Sequence, residues 1–173
     1  MSEPYKSVQR WYNIVSKWAP KLIYPLPVSY ILAVIHQESS GNPLAKRHEP
    51  GYVKAYGSSP KVQTIAKVTG LSVDEICTSY GLMQLMVPTA WGYLSDKYRN
   101  RDILSFLYTG ELNIRLGSAH LSALFKKHAL SGPLTESVIK ASFSSYNGSR
   151  PRAVMYGESV YSLYKIYDKW ILS

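Results

Sequence analysis

The chain has 173 residues, 46% hydrophobic and 18% charged, which suits one compact domain with a sizeable core and excludes disorder. Its net charge of +9 favours anionic partners: nucleic acid, anionic lipid or an acidic wall polymer. The cations are dispersed, however, and the densest clusters, Lys46-Arg47-His48, Arg99-Asn100-Arg101 and Lys126-Lys127-His128, form no Arg-rich arm or zinc-finger spacing and read as solvated surface.

The first twenty residues carry charges throughout and lack the apolar core of a signal peptide. Periodicity is helical nearly everywhere, with no internal repeat, low-complexity tract or long linker. Residues 5–18 predict a helix with Val8, Trp11, Tyr12, Val15 and Trp18 on one stripe. The three prolines of APKLIYPLP make an irregular connection. Pro27 then opens a helix to about Ser39, with Val28, Ile31, Leu32 and Ile35 as its buried face. Apolar runs such as Ile31–Ile35 are far too short to span a bilayer. Gly41 and Pro43 stop this helix.

Residues 44–59 read as loop, and Pro60–Val68 and Ser72–Thr78 as two short helices. Ser72 with Glu75 makes a capping box. Cys77, the sole cysteine, excludes an internal disulfide and reads as a small buried residue. YGLMQLM (80–86) opens the next segment, and Pro88–Tyr98 is predicted helical. A long helix follows over Thr109–His128, with Ile114, Gly117, Leu121 and Leu124 along one side. Leu134–Tyr146 is another, ended by Asn147-Gly148, and a last helix covers about 158–171. Strand signals are weak, so the expected class is mainly α.

Glu38 stands out. It lies seven residues after Ile31 and three after Ile35, on the apolar face of its helix. A carboxylate there is costly unless paired or protonated. Desolvation raises a carboxyl pKa, which is how a Glu becomes a general acid near neutral pH. From position alone, a Glu that folds outward at a frayed helix end explains the spacing as well.

Three further stretches bear on the choice: ESSGNP from Glu38, GLMQ at 81–84 and SYNGS at 145–149. In this order they resemble the soluble lytic transglycosylase (SLT) family, whose fold is similar to that of goose-type lysozyme. That family's pattern is Glu-Ser at a helix end, then Gly-Leu-Met-Gln, then Ala-Tyr-Asn-x-Gly. Here Ser145 replaces the Ala, and Gly148 comes one residue early, before Ser149. The resemblance covers about residues 27–170, including NIRLGSAHLSALF (113–125) and ESVYSLYKIY (158–167). It implies one lysozyme-like helical domain over residues 1–173, preceded within it by the helix at 5–18, with a helical insertion between Glu38 and GLMQ. Compact members have only a short loop there; here Ser40 to Tyr80 intervene.

The resemblance implies cleavage of the MurNAc-β-1,4-GlcNAc bond of peptidoglycan. A glycosidase normally uses two carboxyls; a lytic transglycosylase needs one, acid first and base second, and leaves a 1,6-anhydro end. Glu38 is the residue expected in both roles. Ser39 is expected to bind substrate or orient Glu38. Gly81, Leu82, Met83 and Gln84 are expected to line the cleft, with Gln84 offering its amide to the sugar. Tyr146 is expected to place its hydroxyl near the Glu38 carboxyl. Asn147 either braces that wall or caps its helix, and Tyr161 either bonds near the cleft or packs in the core. Glu49 either pairs on the surface with Arg47 or Lys54, or lines the cleft. In the cleft it would bind substrate, hold Glu38 or activate water.

No cofactor or metal is expected, since His36 and Glu38 are two apart and no H-E-x-x-H is present. The expected partner is the peptidoglycan glycan strand, met by a monomer that binds no nucleic acid and spans no membrane. A leaderless basic wall enzyme resembles a phage lysin, a virion-borne lytic protein or a secretion-system component, acting on the cell wall from the periplasm or by phage delivery. The alternatives are a muramidase with Glu49 as second carboxylate, and a non-catalytic wall- or nucleic-acid-binding module.

Overall fold

The computed structural model describes residues 4–99, 102–129, 133–148 and 151–173. Ser149 of the SYNGS stretch and Asn100 and Arg101 of one basic cluster lie outside them. In chain order the first elements are α1 (Lys6–Gln9), α2 (Tyr12–Trp18), α3 (Val28–Ser39), β1 (Lys46–His48), α4 (Pro50–Tyr56), α5 (Pro60–Thr69) and α6 (Val73–Ile76). They are followed by β2 (Thr78–Tyr80), β3 (Leu85–Met86), α7 (Val87–Trp91), α8 (Ile103–Tyr108), α9 (Gly110–Ala129), α10 (Glu136–Tyr146) and α11 (Pro151–Leu172). The chain is mainly α, as its periodicity predicts. No helix among the described residues is long and apolar enough to cross a membrane.

The chain folds as two compact units, residues 1–41 with 118–173, and residues 42–117. The long helix α9 contributes its first turns to the second unit and the rest to the first.

In the first unit, α3 is buried all round from Ser29 to Ile35, wider than the single stripe its spacing predicts, because α1, α2 and α11 all pack on it. Tyr30 meets Phe125, Phe143 and Tyr164 at centroid distances of 5.3, 5.3 and 4.9 Å. Such offset and edge contacts are the favoured aromatic geometries. Gly157 sets the close approach of α10 and α11, since a Cβ there would meet the Lys140 carbonyl at 2.5 Å. The expected helix over 5–18 is two pieces. Trp11 N–H turns to the Val8 carbonyl, and Arg10 and Trp11 point their side chains at the Gly41 carbonyl. The last helix starts seven residues earlier than expected, at Pro151, where proline suits a first turn.

In the second unit, β1, β2 and β3 form a small antiparallel sheet in that order, with Arg47 opposite Ser79 and Tyr80 opposite Leu85. The expected loop at 44–59 thus holds β1 and α4. Three short helices, α4 to α6, occupy the insertion between Glu38 and GLMQ. The Ser72–Glu75 capping box forms as predicted, but the chain passes into β2 directly after Cys77. The helix expected over 88–98 is α7 followed by a 3₁₀ turn at Asp96–Tyr98. Helix α8 has no counterpart among the predicted elements.

Candidate active site

Glu38 sits in the last turn of α3, half-buried. The hydroxyl of Tyr156, buried on α11, donates to its Oε1 at 2.7 Å. The chain turns sharply just beyond: Ser40 has φ 50° and Gly41 φ 81°, both left-handed. Ser39 caps this end. Its Oγ donates to the Ile35 carbonyl and accepts from Gly41 N–H, both at 3.2 Å. The Ser39 hydroxyl thus takes part in closing the helix.

The neighbouring motif residues belong to the same unit. Tyr146 ends α10 half-buried, with its ring 5.3 Å from that of His120. Burial pushes the His120 imidazole below the ordinary histidine value. Asn147 is exposed and follows α10 as its C-cap, donating its N–H to the Ser144 carbonyl at 3.1 Å. Tyr161 is buried and donates to Glu136 Oε2 at 2.9 Å, with Lys140 and Lys165 over its ring. It ties α11 to α10. Lys140 bridges Glu136 and Glu158 beside it, at 2.6 and 2.7 Å.

In the second unit, GLMQ is the turn between β2 and β3. Gly81 is at φ 75° and Gln84 at φ 46°. A side chain at Gly81 would strike Asn113 and the Leu107 carbonyl. Leu82 and Met83 are fully buried, and Gly117 leaves room for Met83, whose Cβ lies 2.8 Å from where a Cβ of residue 117 would be. Gln84 commits its amide nitrogen inward, to the Ala45 and Gly81 carbonyls at 3.1 and 3.0 Å. Fully buried Asn113 holds the turn from α9. Its Nδ2 donates to the Tyr80 and Leu107 carbonyls at 2.9 and 2.8 Å, and its Oδ1 accepts from Met83 N–H at 2.8 Å.

Glu49 precedes α4. Its Oε1 accepts from Arg47 Nε at 2.6 Å and from Ser79 Oγ at 3.3 Å, so of the two surface partners considered for it, it has Arg47. Among the described residues no group of three or more His, Cys, Asp or Glu could hold a metal ion.

The sequence model of the Transglycosylase SLT domain matches residues 18–166. The chain belongs to the SLT family. No curated protein and no solved structure matches it. SLT domains are lysozyme-like helical folds, and membership supports transglycosylase-type action on peptidoglycan in general, hence on the cell wall. The SLT match takes in Glu38, GLMQ and Tyr146 together with Tyr156 and Asn113, two residues that sequence reasoning missed. Tyr156 stands just outside the helix expected from 158. Asn113 leaves a clearer signal, a polar residue one turn before Gly117 on a helix otherwise read for its apolar side.

Proposed function

We propose that this SLT chain is a peptidoglycan lytic transglycosylase with Glu38 as its acid and base. The observation that carries the reading is the half-buried carboxyl at the end of α3 with Tyr156 fixed on one of its oxygens. Protonated Glu38 gives its proton to the oxygen bridging MurNAc C1 and GlcNAc C4. The C1–O bond breaks and the GlcNAc 4-hydroxyl leaves. The Glu38 carboxylate then removes the proton of the MurNAc 6-hydroxyl as O6 bonds to C1, which closes the 1,6-anhydro ring and restores the acid. No water is consumed. Ser39, Tyr146 and Asn147 are the substrate-facing residues of the first unit on this reading, and Gly81 and Gln84 those of the second, where buried Leu82 and Met83 shape the turn from inside.

The engagement of Glu49 with Arg47 and Ser79 supports one working carboxyl over a hydrolytic pair. The test is digestion of purified peptidoglycan by wild type and Glu38→Gln, with products weighed by mass spectrometry. Anhydro ends from the wild type and none from the variant are expected. Reducing ends, heavier by one water, overturn the transglycosylase reading, and lysis by Glu38→Gln overturns the assignment of Glu38.

A further inference from the structure

The family match begins at residue 18, yet the residues before it are fastened to the helix that carries Glu38. Ser7 Oγ donates to the Ser40 carbonyl at 2.7 Å. Arg10 Nη2 and Trp11 Nε1 both donate to the Gly41 carbonyl, at 2.9 and 3.2 Å. The Tyr5 ring lies 4.1 Å from that of His36, one turn inside α3. Gly41 is buried, and a Cβ there would sit 2.6 Å from the Ser7 carbonyl carbon. Val8, between these contacts, is fully buried.

The physical need is evident at this helix end. The last carbonyls of a helix lack intrahelical partners, and helix ends fray. Here two successive left-handed residues follow the last turn, and the first, Ser40, carries a Cβ that disfavours this conformation. Glu38 stands two residues before it. Three side-chain donors from one short segment hold the two carbonyls of this exit, and the Arg10 guanidinium also complements the negative end of the α3 dipole.

We propose that Ser7, Arg10 and Trp11 are positioning residues for Glu38, a clamp from outside the SLT match that fixes the last turn of α3 and so the carboxyl's aim. This rests on Glu38 being the catalytic acid. Reaction geometry is sensitive at this scale, since a displacement of about 1 Å can cost roughly a hundredfold in rate.

The test uses the full chain, with Trp11→Phe, Arg10→Ala, the two together, and Arg10→Lys, assayed on soluble uncrosslinked glycan strands. Trp11→Phe keeps an aromatic ring, though a smaller one, and removes one donor; Arg10→Lys keeps the charge. The double variant is expected to lose about tenfold in kcat with KM within about twofold, to keep its far-UV circular dichroism, and to show faster amide hydrogen exchange at residues 38–41. Arg10→Lys is expected to recover part of the loss. Wild-type kcat in the double variant, or unchanged exchange at 38–41, overturns the clamp while an inactive Glu38→Gln leaves the function standing. Activity in Glu38→Gln overturns both. A kcat loss that tracks global unfolding overturns the positioning role in favour of a purely structural one.

Discussion

Tyr156 donates its phenolic hydroxyl to Oε1 of Glu38 at 2.7 Å across 118 positions of sequence. A donor to a carboxylate favours its ionised form. Tyr156→Phe keeps the buried ring and removes the donor, so a Glu38 that acts as the proposed general acid retains its proton to higher pH. The alkaline limb of the pH–rate profile is expected to move upward. A limb that stays in place, or moves down, contradicts the role given to this contact.

The Asn113 side chain makes three hydrogen bonds inside the second unit and is fully buried. Asn113→Ala strands the Met83 N–H and two carbonyls, at about 1–3 kcal/mol for each unsatisfied group. On that scale, a loss of about 3 kcal/mol or more is expected in chemical denaturation. Asn113→Asp is expected to do no better, because it cannot donate to Tyr80 and Leu107 and buries a charge.

Gly81→Ala combines two costs, a left-handed φ of 75° and a collision with Asn113 and the Leu107 carbonyl. The first alone is about 1–2 kcal/mol. The variant is expected to melt well below wild type by circular dichroism, whereas Gly148→Ala, where nothing lies within 4 Å of the added carbon, should show the φ cost alone.

Burial lowers the imidazole titration of both His36 and His120. Each stays neutral in the folded chain at pH values where the unfolded chain begins to bind a proton, near 6.5. Protons therefore favour the unfolded state, and stability is held above about pH 6.5 and lost as pH falls below it. His120→Phe keeps a ring against Tyr146 and should flatten part of the fall in melting temperature between about pH 7 and about pH 5. An identical fall in the variant would remove His120 from the explanation.

Glu49→Gln breaks a partly exposed pair with Arg47, and such pairs contribute about 1 kcal/mol or less. Activity within about threefold of wild type and anhydro products are expected. Loss of turnover, or a change in the chemical form of the product ends, would return Glu49 to the reaction.

How much of this was legible follows from the residues themselves. The α3 pattern could be read because its apolar spacing is local, and the Ser72–Glu75 box because a cap is fixed within a single turn. The break at Arg10-Trp11 could not, since the carbonyl those side chains seek belongs to Gly41. β1 reads Lys-Arg-His and is wholly exposed, so no alternation marks it; only its pairing with β2 makes it a strand. GLMQ was found as a motif, yet the inward turn of the Gln84 amide depends on a positive φ that glutamine seldom adopts. Tyr156 was hidden for the plainest reason: its partner is on another helix, far away in sequence.

The discontinuity of the first unit also sets an order of events. Residues 42–117 are made after α3 and before α10 and α11. At roughly 5–20 residues per second, the 118 positions between Glu38 and Tyr156 take about 6–24 s to synthesise. During that interval α3 has emerged with its broad apolar surface and no α11 to cover it. A chain interrupted anywhere in that stretch carries Glu38 but lacks the hydroxyl that donates to it. The pairing of Glu38 with Tyr156 is thus a late event in the life of each molecule, timed by the ribosome's arrival at the last helix.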